Sequence, residues 1–468
     1  MRAIFFIVFI VGFVSQTLAQ HHPQAHCDSL RNDTSVHTVS EIFSHGTFHG
    51  HARHYFMSTI NPGNLNDYWA NALGGALGYN SARVHGFSIG IKGQFSYNVW
   101  SNELTENNEE IGRHSRYELQ LFDVDHPHNY NDLDRLEEFF VDYLTDFGYY
   151  KIGKMDITTP LVNPQDGRMK PYVLHGVFSK TRIANNLIFN LGLFNKFSPR
   201  STTHWYSAEE SIGIYGQGTA INGLPSEYRD HIETKGLFLT GLQFHSDQIR
   251  FQAWNYYIEN ISNTLFGQFN FHSKEANPQW RFGLQFLTQS QVGVGGNNDS
   301  LHFQYHTEND KAKILSGRIA RKANGVTFSL NALHAFGDGR FIFPREWGRE
   351  QFFVTISRGR VEGTGKMSVV MLKSRIEPKT NEHFHLDLAG GYFFMPSIHD
   401  YTLSKYAMPS HYQFNADLKY SFGHILEGMD VRLLYIWKTP QNINALENAS
   451  LFNKSNYHQI NLVTNIHF

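Results

Sequence analysis

The chain has 468 residues, and its 40 Lys+Arg against 42 Asp+Glu leave a net charge of -2. That balance excludes a general basic footprint for nucleic acid and an acidic disordered chain. Aromatics make up 15% and charged residues only 18%, and the single cysteine excludes an internal disulfide framework or a Cys-rich metal cluster.

Met1-Arg2 precedes an apolar core over residues 4–14, and Thr17-Leu18-Ala19 supplies small residues for cleavage. Residues 1–19 therefore read as a secretory signal peptide. Cys27 lacks an apolar lipidation context, and residues 20–45 read as a polar, His-rich, loosely attached tail. From there to residue 468 no apolar run is long enough for a membrane-spanning helix.

The dominant signal over 46–468 is period two. Phe87, Ile89, Ile91, Phe95, Tyr97 and Val99 share one face, with Ser88, Lys92, Gln94, Ser96 and Asn98 on the other. Only a strand with one apolar and one wet face separates those sets. The pattern recurs at Trp280–Phe286, Phe384–Phe394, Phe414–Phe422, Val431–Trp437 and His458–Phe468. Short candidate turns, as at 146–149 or 322–325, alternate with long connections near 99–136, 157–173, 196–233, 290–311, 336–365, 394–412 and 438–457. A β-sandwich does not predict such alternation. A transmembrane antiparallel β-barrel with short periplasmic turns and long external loops does. About nineteen strand candidates can be counted, and a barrel needs an even number. Demoting 115–123, which lies inside a long polar connection, leaves about 18, a size that keeps an aqueous channel. Trp69, Trp254, Trp280 and Trp437 fit interface girdles. The last strand, ending on Phe468, resembles the recognition signal read by the outer-membrane barrel-assembly machinery.

Several blocks, in order, resemble the OprD-like family of outer-membrane porins. They are Gly50–Phe56, Asp67–Gly75, Gly86–Phe95, Ile152–Lys154 with Thr159–Leu161 and Asp166–Pro171, Pro344–Arg349, and Lys405–Ser410. The region near 123–135 departs from that pattern. The resemblance implies an 18-stranded channel in the outer membrane of a Gram-negative bacterium, set in lipid and lipopolysaccharide. It implies passive, selective diffusion of small carboxylate-bearing solutes, such as amino acids, short peptides and small organic acids. It also implies an inward-folded constriction, so that loops 157–173 and 336–365 narrow the pore.

A pore of this kind binds weakly at several sites. The wet faces offer Arg53, Lys92, Arg281, Arg318, Lys373, Arg375, Lys419 and Arg432. Barrel closure makes the first and last strands neighbours, so Arg53, Lys92, Arg375, Lys419 and Arg432 are candidates for one basic, substrate-lining wall. The alternative for each is pairing with a nearby acid, and Asp387 and Asp417 stand on adjacent inward faces. In the constriction loops, Asp166, Arg168, Arg345, Glu346 and Arg349 read either as filter charges or as staples that satisfy a buried loop. Gly348 serves a turn. The 27 histidines invite a metal, and His49 and His51 share the face of Arg53, but no carboxylate or cysteine completes a site in sequence. No metal and no cofactor is expected.

The competing function is a secreted β-rich enzyme such as a glycoside hydrolase, which needs paired carboxylates. Glu137-Glu138 and Glu209-Glu210 are the adjacent acidic pairs in candidate positions. Strand neighbours point to opposite faces, so they make a poor catalytic pair. Monomer and homotrimer both stand, since a lipid-facing and a subunit-facing aromatic face look alike.

Overall fold

A computed structural model describes residues 38–468 apart from 166, 275, 276 and 338. The expected signal peptide and most of the tail therefore lie outside the described residues. What is described of the tail is a short helix, α1 (Val39–Ser44), capped by the Thr38 hydroxyl, whose Ile42 carbonyl accepts from the Ala82 amide.

The wall is made by β1 (Thr47–Ile60), β2 (Tyr68–Asn80), β3 (Phe87–Ser101), β4 (Arg135–Leu144), β5 (Gly148–Met155), β6 (Val173–Ala184) and β7 (Leu187–Ser198). After a two-residue stub, β8 (Tyr206–Ser207), it continues with β9 (Leu237–His245), β10 (Ile249–Ile258), β11 (Ser262–His272), β12 (Gln279–Gln291) and β13 (Ala312–Ala323). It is completed by β14 (Val326–Phe336), β15 (Ser368–Ile376), β16 (Phe384–Phe394), β17 (His411–Ser421), β18 (Met429–Pro440) and β19 (Tyr457–His467). Each strand pairs antiparallel with its neighbours, β7 pairs with β9 past the stub, and β19 returns to β1. The sheet is thus a closed barrel of 18 strands. The last rung joins Gly50 and Phe468, whose amides and carbonyls exchange two bonds. No helix among the described residues is long and apolar enough to cross a membrane.

The segment 115–123 is not a strand. Leu119, Leu121 and Phe122 are buried, with a helical turn at Leu119–Leu121, and they pack inside the barrel beside Tyr117 and Met169. Their apolar pattern reflects contact with a wall, not a place in it.

Alternation places the outer face. On β3, Phe87, Ile91 and Val99 are 52%, 44% and 60% exposed, while the intervening Ser88, Gln94 and Ser96 are buried. A continuous apolar exterior of this kind needs a greasy environment. Trp280 and Trp437 stand on it, but Trp254 does not. Trp254 faces inward, fully buried, where Gly241 leaves room for its ring: a Cβ there would lie 2.4 Å from the indole. β15 is apolar on both faces because its inner residues Val369 and Met371 pack on an inserted loop, not on water.

Candidate functional site

All long connections leave from one end of the barrel, and the strands meet in short turns at the other. Two of the long connections, 156–172 and 337–367, fold into the lumen, and many of their residues are fully buried. A buried loop must find partners for its backbone, and the inward strand residues supply them.

For the first loop, the Arg53 guanidinium donates to the Arg168 carbonyl and, at 2.6 Å, to Asn465 Oδ1. Gln94 donates to the Met169 carbonyl at 2.8 Å, and Arg135 to the Pro171 carbonyl at 2.8 Å. Arg168 itself reaches the Tyr117 carbonyl at 2.7 Å. Lys170 is buried against the Leu133 carbonyl, and burial, helped by Arg135, pushes its ammonium down to about 7. Asp166 lies outside the described residues.

For the second loop, two glutamines act like strand partners. Gln289 accepts from the Ile342 amide at 2.9 Å and donates to its carbonyl at 2.8 Å. Gln285 accepts from Phe353 at 2.9 Å and donates to Gln351 at 2.9 Å. Across the lumen Gln413 and Asn415 both donate to the Ser357 carbonyl, Lys373 to Thr355 and Lys438 to Arg358. The loops also meet each other: Gln351 donates to the Pro160 carbonyl at 3.0 Å and Asn163 to the Arg349 carbonyl at 2.8 Å. Gly348 is the point of closest approach, where a Cβ would lie 2.6 Å from the Leu161 oxygen.

Among the loop charges, Glu346 is buried and accepts from the amides of Gly213 and Tyr215 at 3.1 and 3.0 Å. Arg349 donates to the carbonyls of Ile356 and Gly359 within its own loop. Arg345 pairs with Glu362 at 2.6 Å and lies over the Tyr406 ring at 3.8 Å. Lys405 is enclosed by the rings of Tyr228 and Tyr305, both at 4.6 Å, and burial pushes it down to about 8. Arg349 and the Arg345–Glu362 pair hold their own loop in shape, and Glu346 and Lys405 hold loops to one another.

The register turns Arg53, Lys92, Arg281, Arg318, Lys373, Arg375, Lys419 and Arg432 inward, with Arg53 on the face of His49 and His51. Their neighbours differ. Lys92 contacts Glu137 at 2.7 Å and Glu138 at 2.5 Å. Both glutamates can reach it because the ladder slips between Lys92 and Gly93, a bulge that turns consecutive residues to one side. The expectation that Glu137 and Glu138 face apart is thereby corrected: they converge, but on cations. Glu209 and Glu210 lie in a four-residue helix, α2 (Ala208–Ser211), where Glu210 closes a capping box with Ser207. Arg375 pairs with Asp387 at 2.9 Å, Lys419 with Asp430 at 3.6 Å and Arg432 with Asp417 at 2.7 Å.

Near the short-turn end, β10 to β13 enclose a cavity of about 730 Å³. Arg250, Arg281, Arg318, Lys322 and Lys379 line it, and no carboxylate does among the described residues. Arg318 is held by Asn270 Oδ1 at 3.0 Å and by the Phe353 ring at 4.3 Å. Arg250 and Lys322, at strand ends, were not singled out by the alternation, which is weakest there.

No protein-family model and no curated protein matches the chain. Solved structures do. OpdK of Pseudomonas aeruginosa, in a structure with vanillate, superposes with a TM-score of 0.66 at 14% identity, over 91% of this chain and 99% of that one. OccAB2 of Acinetobacter baumannii gives 0.69 at 12% identity, over 92% and 99%. OccK5 (OpdH) of Pseudomonas aeruginosa gives 0.65 at 12% identity, over 91% and 99%. At such identities the likeness is one of fold, and it extends over the whole barrel. The chain has the 18-strand barrel fold of the OprD/Occ porins.

Proposed function

We propose that the protein is a passive outer-membrane channel of a Gram-negative bacterium, admitting small polar solutes that carry a carboxylate. The observation that carries this reading is the arrangement of the lumen: two stapled loops fill its middle, and a cavity lined by cations, with no carboxylate among the described residues, opens beneath them. An apolar exterior and a wet, charged interior suit a wall set in lipid.

A diffusing carboxylate passes along groups that hold it briefly. Arg375, Lys419 and Arg432 suit this because their side chains are 54%, 45% and 43% exposed. Solvent-exposed ion pairs are worth about 0–1 kcal/mol, so a solute can exchange with the protein acid. Arg53 and Lys92 are more enclosed and act chiefly by fixing the wall and the first loop. Among proteins of this fold, OpdK has been solved with vanillate, which is itself a carboxylate.

The test is the reversal potential of refolded protein in planar bilayers across a salt gradient. Small, steady, anion-preferring openings are expected. Cation preference would remove the basic lumen from the account, and an absence of conductance from well-folded protein would remove the channel.

A further inference from the structure

The long-loop end carries a second group of chemical side chains, far from the cationic cavity. Asp123 and His126 belong to the connection between β3 and β4, and His204 to the connection after β7. Their candidate ligand atoms all lie within 4.8 Å of one another. We propose that they form a zinc-type site, with two imidazoles, one carboxylate and a fourth position open to solvent.

One pair of the three already has the spacing of a tetrahedral ion's ligands. His126 Nδ1 lies 3.4 Å from Asp123 Oδ2. Two ligands about 2.1 Å from a tetrahedral metal stand about 3.4 Å apart. The imidazoles of His126 and His204 face each other with centroids at 5.2 Å. His126 is exposed, so an ion can arrive from solvent.

Hydrogen bonds fix the protonation of the group. The Thr203 hydroxyl lies 2.9 Å from Asp123 Oδ2, and a carboxylate only accepts, so Thr203 donates there. Thr203 Oγ1 is also 2.9 Å from His204 Nδ1, so it accepts a proton from that nitrogen. His204 then carries hydrogen on Nδ1 and presents a bare lone pair on Nε2. A chain in which a metal-binding imidazole donates to an oxygen behind it is the usual orienting device of metal sites.

The charge balance points the same way. Asp123 is fully buried, and its other oxygen accepts from the amides of Asp125 and His126. Arg229, in the same loop cluster, is bound by Asp125 instead. A buried carboxylate served by amides, a hydroxyl and the imidazole of His126, with that of His204 close by, is completed by a cation. The two connections are already docked, with Val124 donating to Ser201 at 2.9 Å and Ser201 to Gln120 at 2.5 Å. Little ordering is then left for binding, and the ion would tie the two loops together at the mouth. This inference stands on the loops alone and survives if the channel reading fails.

The experiment is zinc titration of refolded full-length protein in detergent, competed against a chromophoric chelator, with cobalt absorption to report tetrahedral geometry. One competing ion per chain and an intense cobalt band are expected. H204A and D123N should each weaken binding by at least about 100-fold, and T203V by about 10- to 100-fold. Heat-modifiable migration on gels identifies folded protein, and H126Q, an exposed change, covers the case in which D123N does not fold. A variant with His21, His22 and His26 replaced by alanine should keep the site. Binding unchanged in H126Q/H204A, or lost with the tail histidines, would overturn the proposal.

Discussion

The two ends of the lumen use the same residue types for opposite purposes. Toward the long loops, arginine and lysine point at carbonyl oxygens: Arg53 at Arg168, Arg349 at Ile356 and Gly359, Lys373 at Thr355, Lys438 at Arg358. Their charge is spent on backbone that entered the barrel without partners of its own. Toward the short turns no loop enters, and Arg250, Arg281 and Lys322 face water in a cavity without a lining carboxylate among the described residues. The vestibule itself is divided, since Arg375, Lys419 and Arg432 each have an acid, and Arg250, Arg281, Arg318 and Lys322 have none lining their cavity among the described residues. What a lumen cation does is set by what stands opposite it: a loop carbonyl makes it a staple, an acid mutes it, and water leaves its field for solutes.

The largest effect on permeation should come from removing the unmuted arc. R250Q/R281Q/R318Q/K322Q is expected to lower the anion-to-cation permeability ratio by about tenfold at low salt, with single-channel conductance kept. The effect should shrink as ionic strength shortens the Debye length below about 10 Å. Reversal potentials at two salt concentrations check both statements, and an unchanged ratio would return the anion path to the neighbouring arc of Arg375, Lys419 and Arg432.

Next comes Lys92→Met, which leaves Glu137 and Glu138 without their shared cation. Breaking a buried pair from one side costs about 3–5 kcal/mol. The expected outcome is a loss of heat-modifiable, folded barrel on refolding, restored in K92M/E137Q/E138Q. If K92M folds as well as the parent, the bulge is not held by its charges.

Much of this division was legible in the sequence, and the illegible parts have definite causes. Alternation placed Lys92, Gln94, Gln285 and Asp417 on the inner face, because a strand leaves no other choice. It could not say that Gln285 binds Phe353 and Gln351, since that pairing depends on where a distant loop folds. The Glu137–Glu138 bulge adds one residue without breaking the local pattern, so strict alternation put them on opposite sides. Trp254 reads as a girdle residue because a strand aromatic looks alike whether it faces lipid or, as here, an inserted loop. The Asp123, His126 and His204 group joins segments separated by some 80 residues, so no local spacing reveals it.

A smaller change sharpens the contrast between the two vestibule arcs. Asp387→Asn removes the carboxylate that mutes Arg375. The pair is exposed, so folding should be affected by less than about 1 kcal/mol. The anion preference should rise by about two- to threefold, read from the same reversal potentials. No rise would mean that Arg375 stands outside the conduction path.

The last expected effect belongs to the stapled end and is a pH dependence. His306 is fully buried, and burial pushes its imidazole down to about 4, against the pull of Asp310. The unfolded imidazole keeps its ordinary value near 6.5. Between those values the unfolded loop binds a proton that the folded loop does not, so stability falls as pH drops from 6.5 to 4. Asp310 does not blur the window. Burial opposes its ionisation, but Arg340, at 2.7 Å, holds it down to about 2, so it stays charged throughout. The local loss amounts to about 2 kcal/mol by pH 5. Hydrogen exchange of loop 292–311, corrected for intrinsic pH dependence, should be faster at pH 5 than at pH 7.5. His306→Gln should flatten that difference, while the vestibule variants leave it intact, because His306 and Asp310 stand at the other end of the barrel.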